Sequence, residues 1–336
     1  MIITSAPGKI ILFGEHAVVY NKLGIATSIN KRTYVTVSAE AESVTIESKN
    51  LNLKKSFSEK ELFTILRKIE KLKTEKDFER IKKAGEDRLL ASFFVIAKLT
   101  EKFGFNGLKV SIDSEVPKNL GSSSSVFSAL VLATTTLFRE KLSKEEIVSI
   151  TNEGDIVAHG GLPSGIDASV VTYGGYLQYK KNEGITPLDI SFETPLLIVD
   201  SGEPARTGET VPYINKLKEK KTSLVKEVLD RLDEISHCGL RALKTENLEE
   251  MGKQMTNYYQ ELRKLNISTT KLDQIVQIAL SHQALGAKPT GGWGGGCCLV
   301  LAKNQKRVTD LINVFKKNSF QSFQSKIGVE GVKLII

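Results

Sequence analysis

A glycine followed by four serines is a set of residues able to hold an anion. In Pro117-Lys118-Asn119-Leu120-Gly121-Ser122-Ser123-Ser124-Ser125, Gly121 lets the backbone come close to a phosphate with no Cβ between them. The serines offer hydroxyls that can donate to an anion, cap a helix or hold a metal. Before the stretch, apolar Leu108, Val110 and Ile112 alternate with polar Lys109, Ser111 and Asp113, which predicts a strand. After it, the apolar run from Val126 to Phe138 predicts a helix. The unpaired N–H groups of that helix's first turn, and its dipole, would then face the loop. Taken alone, Ser122 to Ser125 could equally do no more than cap a buried helix. No Gly-Lys-Ser/Thr follows a first glycine at the spacing of a Walker loop, and the further glycines of a dinucleotide fingerprint are missing. A phosphate bound here belongs to another kind of fold.

Two more stretches depend on glycine more than core packing requires. They are Pro7 to Tyr20 and the run Lys288-Pro289-Thr290-Gly291-Gly292-Trp293-Gly294-Gly295-Gly296. The elements that must position them can be read in order. Ile2 to Thr4, Lys9 to Phe13, Ala17 to Tyr20, Thr33 to Ser38 and Glu42 to Glu47 are short and rich in β-branched residues, and read as strands. Ser58 with Glu61 is a capping box opening a helix. Lys71 to Gly85 is charged and irregular, and reads as an exposed loop or a fraying helix end, before a second helix from Asp87 to Phe103. Ser143 with Glu146 is another capping box, for a helix reaching about Ala158. His159 to Gly165 cannot be regular helix, Ile166 to Val171 is short and apolar, and Tyr176 to Lys180 reads as a strand. Lys181 to Thr186 reads as a linker, and the buried strand Leu196 to Asp200 opens a second domain. Long helices are expected over 208–281. A strand from Cys297 to Ala302, a helix from Lys306 to Lys317 and a strand from Gly331 to Ile336 close the chain.

Composition narrows the classes. The 336 residues suffice for two domains, split here as 1–190 and 191–336. No run of about 18 apolar residues exists, so no membrane partner is expected. The N-terminus reads as a first strand and not as a signal peptide. Three cysteines, Cys238 and the adjacent Cys297 and Cys298, give neither a disulfide framework nor metal-ligand spacing, and fit a reducing cytoplasm. The net charge of +8 is mostly lysine spread along amphipathic helices such as Leu62 to Leu72 and Tyr213 to Leu232. Without an Arg-rich cluster among aromatics, it reads as solvated helix faces and not as a nucleic-acid surface.

The three glycine stretches together carry a resemblance. Pro7-Gly8-Lys9-Ile10-Ile11-Leu12-Phe13-Gly14-Glu15-His16-Ala17-Val18-Val19-Tyr20 resembles the first motif of the small-molecule kinases acting on galactose, homoserine, mevalonate and phosphomevalonate (the GHMP kinases). Gly121 to Ser124 is similar to their phosphate-binding motif, and Thr290 to Cys297 to their third. Order and spacing match over essentially the whole chain. Glu15 to Tyr20, and His159-Gly160 with Pro163 to Asp167, are most similar to the members acting on mevalonate; a sister kinase for another alcohol and a non-catalytic regulatory relative are the alternatives.

The resemblance implies an α+β, two-domain fold: an N-terminal ribosomal-protein-like domain with a left-handed βαβ crossover, and a C-terminal α/β domain. It implies ATP and Mg²⁺ as cofactors and a small-molecule substrate, mevalonate; a homodimer is compatible with it. Asp167 would be the catalytic base and Lys9 its partner, stabilising the transferring phosphoryl group. Pro117 to Ser125 would hold ATP. Glu15, His16, His159, Asp167 and Thr207 would line the substrate pocket. Ser123 and Asp155 would hold the metal. Here the sequence departs from the family, whose second metal ligand is normally Glu. Asp155 is in register, one methylene short, so that its helix sits closer, a water bridges, or Glu153 takes the role. Gly160 to Pro163 carries one extra residue. Trp293 stands where the third motif has only small residues, and would either cover the active site or be a local packing feature.

Overall fold

The computed structural model describes residues 1–190 and 194–336. From Thr4 onward every residue of β1 (Ile2–Phe13) is buried, so this strand is covered on both faces. It pairs antiparallel with the 17-residue β2 (Gly24–Glu40), with a register shift between Pro7 and Gly8. Gly8 is required there: a Cβ would lie 2.8 Å from Val116 Cγ1 and 2.9 Å from the Leu120 carbonyl. Ala17–Tyr20, expected as a strand, is a 3₁₀ turn bracketed by left-handed backbone at His16 (φ 62°) and Asn21 (φ 61°). Those two residues reverse the chain within a few positions, which overrides the β-branched run between them.

β3 (Ser43–Ser48) and β4 (Leu53–Ser58) form a hairpin. The capping box of Ser58 and Glu61 opens α1 (Glu59–Thr74) as expected. Of the charged stretch Lys71 to Gly85, the first residues are the end of α1, while most of the rest is not a loop but α2 (Phe78–Ala84), capped by Asp77 and anchored by buried Ile81. Next come α3 (Leu90–Phe103), β5 (Gly107–Ser114), α4 (Ser122–Leu137), α5 (Lys144–His159) and α6 (Ile166–Tyr173). The expected linker is in part a strand, because β6 (Tyr176–Lys180) turns back into β7 (Gly184–Leu188).

The remaining elements are β8 (Leu196–Asp200), α7 (Thr207–Lys220), α8 (Thr222–Lys244), α9 (Leu248–Arg263), α10 (Thr270–Ser281), β9 (Gly286–Thr290), β10 (Cys297–Leu301), α11 (Gln305–Lys317), β11 (Gln321–Gln324) and β12 (Lys333–Leu334). A first sheet runs β12-β1-β2-β5-β3-β4, with β6 and β7 branching from β2. Its one parallel pair is β3 with β5. A second, antiparallel sheet runs β11-β8-β10-β9. One core packs α1, α3, α4 and α5 on the first sheet. A larger one joins the lower half of β1 (Ile10, Leu12, Phe13) to the second sheet and to α8, α9 and α10. Strand β1 therefore belongs to both cores, and whatever it carries is held from two sides. Cys297 and Cys298 are buried in the larger core. Among the described residues no helix is long and apolar enough to cross a membrane.

Candidate active site

The chemistry collects where β1 passes the start of α4. The Lys9 N–H donates to the Leu120 carbonyl at 2.8 Å. Gly121 (φ 80°) turns the chain into α4, and a Cβ there would stand 2.8 Å from Lys9 Cγ. The lysine stem thus lies directly against the glycine turn, and its ammonium reaches Asp167 Oδ1 at 2.9 Å. The Lys9 side chain is 5% exposed and that of Asp167 40%, so a buried cation meets a partly exposed carboxylate. Asp167 sits on the first turn of α6, entered through Gly165 (φ 86°). Gly121→Ala combines a strained φ with a clash against an immobilised side chain. We expect it to lower kcat/KM for ATP at least about tenfold in steady-state kinetics, with the fold retained.

The serines divide their roles. Ser122 and Ser123 are half-buried on the open first turn of α4, where backbone N–H groups lack intrahelical partners. Ser124 Oγ donates to Asp155 Oδ2 at 2.6 Å. Ser125 turns away, donating to the Ser122 carbonyl and sharing a hydrogen bond with Thr33. Pro117 is half-buried ahead of the turn, Lys118 and Asn119 are exposed, and Leu120 is buried beneath it.

Asp155 is 2% exposed on α5. Gly154 lets that helix close on α4, since a Cβ there would meet the Phe127 ring at 2.7 Å. The neighbouring aspartate is thereby brought onto Ser124. Its Oδ1 has no hydrogen-bond partner among the described residues and lies 3.9 Å from His159 Nε2. Burial pushes the Asp155 carboxyl up to about 8, opposed by the Ser124 bond, reinforced by Asp167 and opposed again by Lys9. Glu153, the other candidate, faces elsewhere and is engaged by Lys73 (2.5 Å) and Lys98 (3.5 Å). His159 ends α5, with its side chain mostly exposed. Among the described residues no group of three or more His, Cys, Asp or Glu could hold a metal ion.

Glu15 and His16 lie deeper than a simple pocket wall. Glu15 is 1% exposed and ion-paired with Lys288, a residue that sequence reasoning passed over. Burial pushes Glu15 up and Lys288 down, each countered by its partner. A lysine between Ala287 and Pro289 looks like any surface lysine; only the apolar strand around it hints otherwise. Burial lowers His16 to about 4, against a hydrogen bond to the Gly292 carbonyl and with the added push of Lys288. Its imidazole is therefore neutral at neutral pH. The backbone of Thr207 begins α7, and its side chain lies outside the described residues.

The third glycine stretch buttresses the loop. Cβ atoms placed on Gly291 and Gly296 would lie 3.8 Å from the Asn119 carbonyl oxygen and side-chain nitrogen, respectively. Thr290 Oγ1 bonds both the N–H and the carbonyl of Ile11 at 3.0 Å. Trp293 does not cover the site. With φ 60° it is wholly buried in the C-terminal core, its ring stacked on Tyr259 at 6.1 Å. The left-handed backbone directs the indole into that core.

A buried lysine paired with an aspartate at a serine-rich helix start can serve phosphoryl transfer. The models for the GHMP kinase N-terminal and C-terminal domains match residues 89–175 and 240–320. The chain belongs to the GHMP kinase family, whose members are kinases and use ATP. Within it, the chain is 34% identical to the mevalonate kinase of Pyrococcus horikoshii, over 91% of this chain and 90% of that protein. It also resembles the crystal structure of Methanococcus jannaschii mevalonate kinase, with a TM-score of 0.82 and 26% identity, covering 97% of this chain and 98% of that one. The fold likeness extends to L. major mevalonate kinase, solved in complex with R-mevalonate (TM-score 0.79, 24% identity, 97% and 96% covered).

Proposed function

We propose that this chain transfers the γ-phosphoryl group of ATP to the 5-hydroxyl of (R)-mevalonate, giving 5-phosphomevalonate and ADP. The observation that carries it is the Lys9–Asp167 pair, 2.9 Å apart against the Gly121 turn. Phosphoryl transfer is mostly positioning and charge neutralisation, and these residues supply both. Asp167 orients the substrate hydroxyl and takes its proton as the oxygen bonds to phosphorus and the bond to the ADP oxygen breaks. Lys9 holds the carboxylate in place and offsets charge on the phosphoryl oxygens. Residues 117–125 cradle the phosphates with the free N–H groups of α4. His16, neutral and with Nε2 unpartnered among the described residues, offers the substrate a hydrogen bond, and His159 and Thr207 are the further substrate-contact candidates; Glu15, sealed against Lys288, has no surface to offer it.

The residues fit a divalent cation. Asp155 carries a buried oxygen without a partner, and Ser123 stands on the facing turn. Asp155 and Ser123 would hold a magnesium ion, which when bound would supply charge neutralisation for the phosphates. In this reading residues 1–190 hold the nucleotide and the reacting groups, residues 191–336 buttress them, and the enzyme works in the cytoplasm. The test is coupled ADP release with magnesium and ATP, comparing mevalonate, galactose, homoserine and phosphomevalonate. Turnover on mevalonate alone is expected; turnover on another alcohol in its place overturns the substrate.

A further inference from the structure

We propose that Lys288 is a positioning residue for this reaction: sealed against Glu15, it fixes the Gly14–His16 reversal, and with it the His16 imidazole and the β1 segment leading back to Lys9. The inference deepens the kinase reading and rests on it. Both side chains of the pair have no exposure at all, an unusual state for two charges, which are almost always left in water. Lys288 Nζ also reaches the Ile11 carbonyl at 3.4 Å, two residues from Lys9, and lies 5.4 Å from the centre of the Tyr258 ring. The hydroxyl of that tyrosine donates to the Glu15 carbonyl at 2.9 Å. Thr290, two residues along β9, holds Ile11 from the same side. The second sheet and α9 thus grip one short segment of the first motif through side chains.

That segment needs gripping. Gly14 has φ 105°, and a Cβ on it would come within 2.4 Å of Gly24 Cα. His16 has φ 62° and ψ −38°, a conformation a non-glycine residue keeps only where its surroundings impose it. A buried ion pair adds little net stability compared with a well-packed apolar pair, so stability alone is a weak reason for placing one here. Fixing one geometry of the reversal is a better one.

The experiment compares the wild type with Lys288→Met, Glu15→Gln/Lys288→Met and Tyr258→Phe, by thermal melting and by steady-state kinetics in each substrate. Lys288→Met strands a buried carboxylate and should melt early. The double variant removes both charges and should recover most of the melting temperature. Its kcat should nevertheless stay ten- to about a hundredfold low, with a raised KM for mevalonate and a KM for ATP within about twofold of wild type. A double variant that melts like wild type, with wild-type kcat and mevalonate KM, overturns the proposal and leaves the pair a staple. If the double variant does not fold, Tyr258→Phe decides, since it loosens the same reversal without removing a charge. A lowered kcat with unchanged KM for ATP supports the proposal, and unchanged kcat and mevalonate KM overturn it. Wild-type turnover checks the substrate separately: should another alcohol be the one consumed, the same variants are compared on that alcohol.

Discussion

Asp167→Asn should lower kcat on mevalonate by about 10²- to 10⁴-fold, with the KM for ATP little changed. Asparagine keeps the size of the side chain and an oxygen for Lys9, but cannot accept the proton of the substrate hydroxyl. Asp167 is 40% exposed on the first turn of α6, so the substitution leaves both cores untouched. Lys9 loses its counter-charge while staying buried, and a melting curve beside the kinetics separates that effect from the chemistry. A variant retaining kcat within about threefold of wild type would show that Asp167 does not take the proton.

Asp155→Asn should produce two effects of opposite sign. Activity with magnesium should fall on the order of 10²-fold, because the amide carries no charge for the cation. The metal-free protein should become more stable in mildly alkaline solution. The folded carboxyl titrates at about 8 against an ordinary value of 3.8, so between these values the native state holds a proton that the unfolded chain has released. Stability therefore falls as pH rises through that window, by on the order of a few kcal/mol in all, and an asparagine has no such proton to lose. Thermal melts without metal from about pH 5 to pH 9 should slope downward for wild type and flatten for the variant. Equal slopes would assign the pH dependence elsewhere. For the same reason the wild-type enzyme should bind magnesium more tightly as pH rises, since a metal ligand must be ionised.

The parts of this protein that were legible in its sequence are those set by local rules. The capping boxes at Ser58 and Ser143 open helices where the side chains dictate. The glycine turn at Gly121 does lie between a strand and a helix. Where long-range packing decides, the sequence misleads. Ala17 to Tyr20 looks like a strand, yet the positive φ of His16 and Asn21 coils it. The polar β4 shows no alternation because four of its six residues are exposed at the edge of a sheet. Likewise Lys9 and Asp167 stand 2.9 Å apart only because β1 and α6 meet in space, and no local pattern says so; the resemblance of the motifs did. Lys288 opens the third glycine-dependent stretch, but nothing in that stretch marks it as a buried charge. Its partner is 273 residues away in the chain.

The return of the chain's last segment to its first strand has a consequence for how the protein is made. Asn30 donates to the Lys326 carbonyl, Arg32 holds the carbonyls of Glu330 and Gly331, and β12 closes the edge of β1. The Arg32 and Gly331 partners are separated by 299 residues. On a ribosome, β1 emerges before β12 and waits, its outer edge unpaired, until the chain between them has been synthesised. At roughly 5–20 residues per second that wait lasts on the order of 15–60 seconds. An open strand edge recruits other strands, so the nascent chain passes through a period in which a holding chaperone, or the speed of translation itself, decides between folding and aggregation.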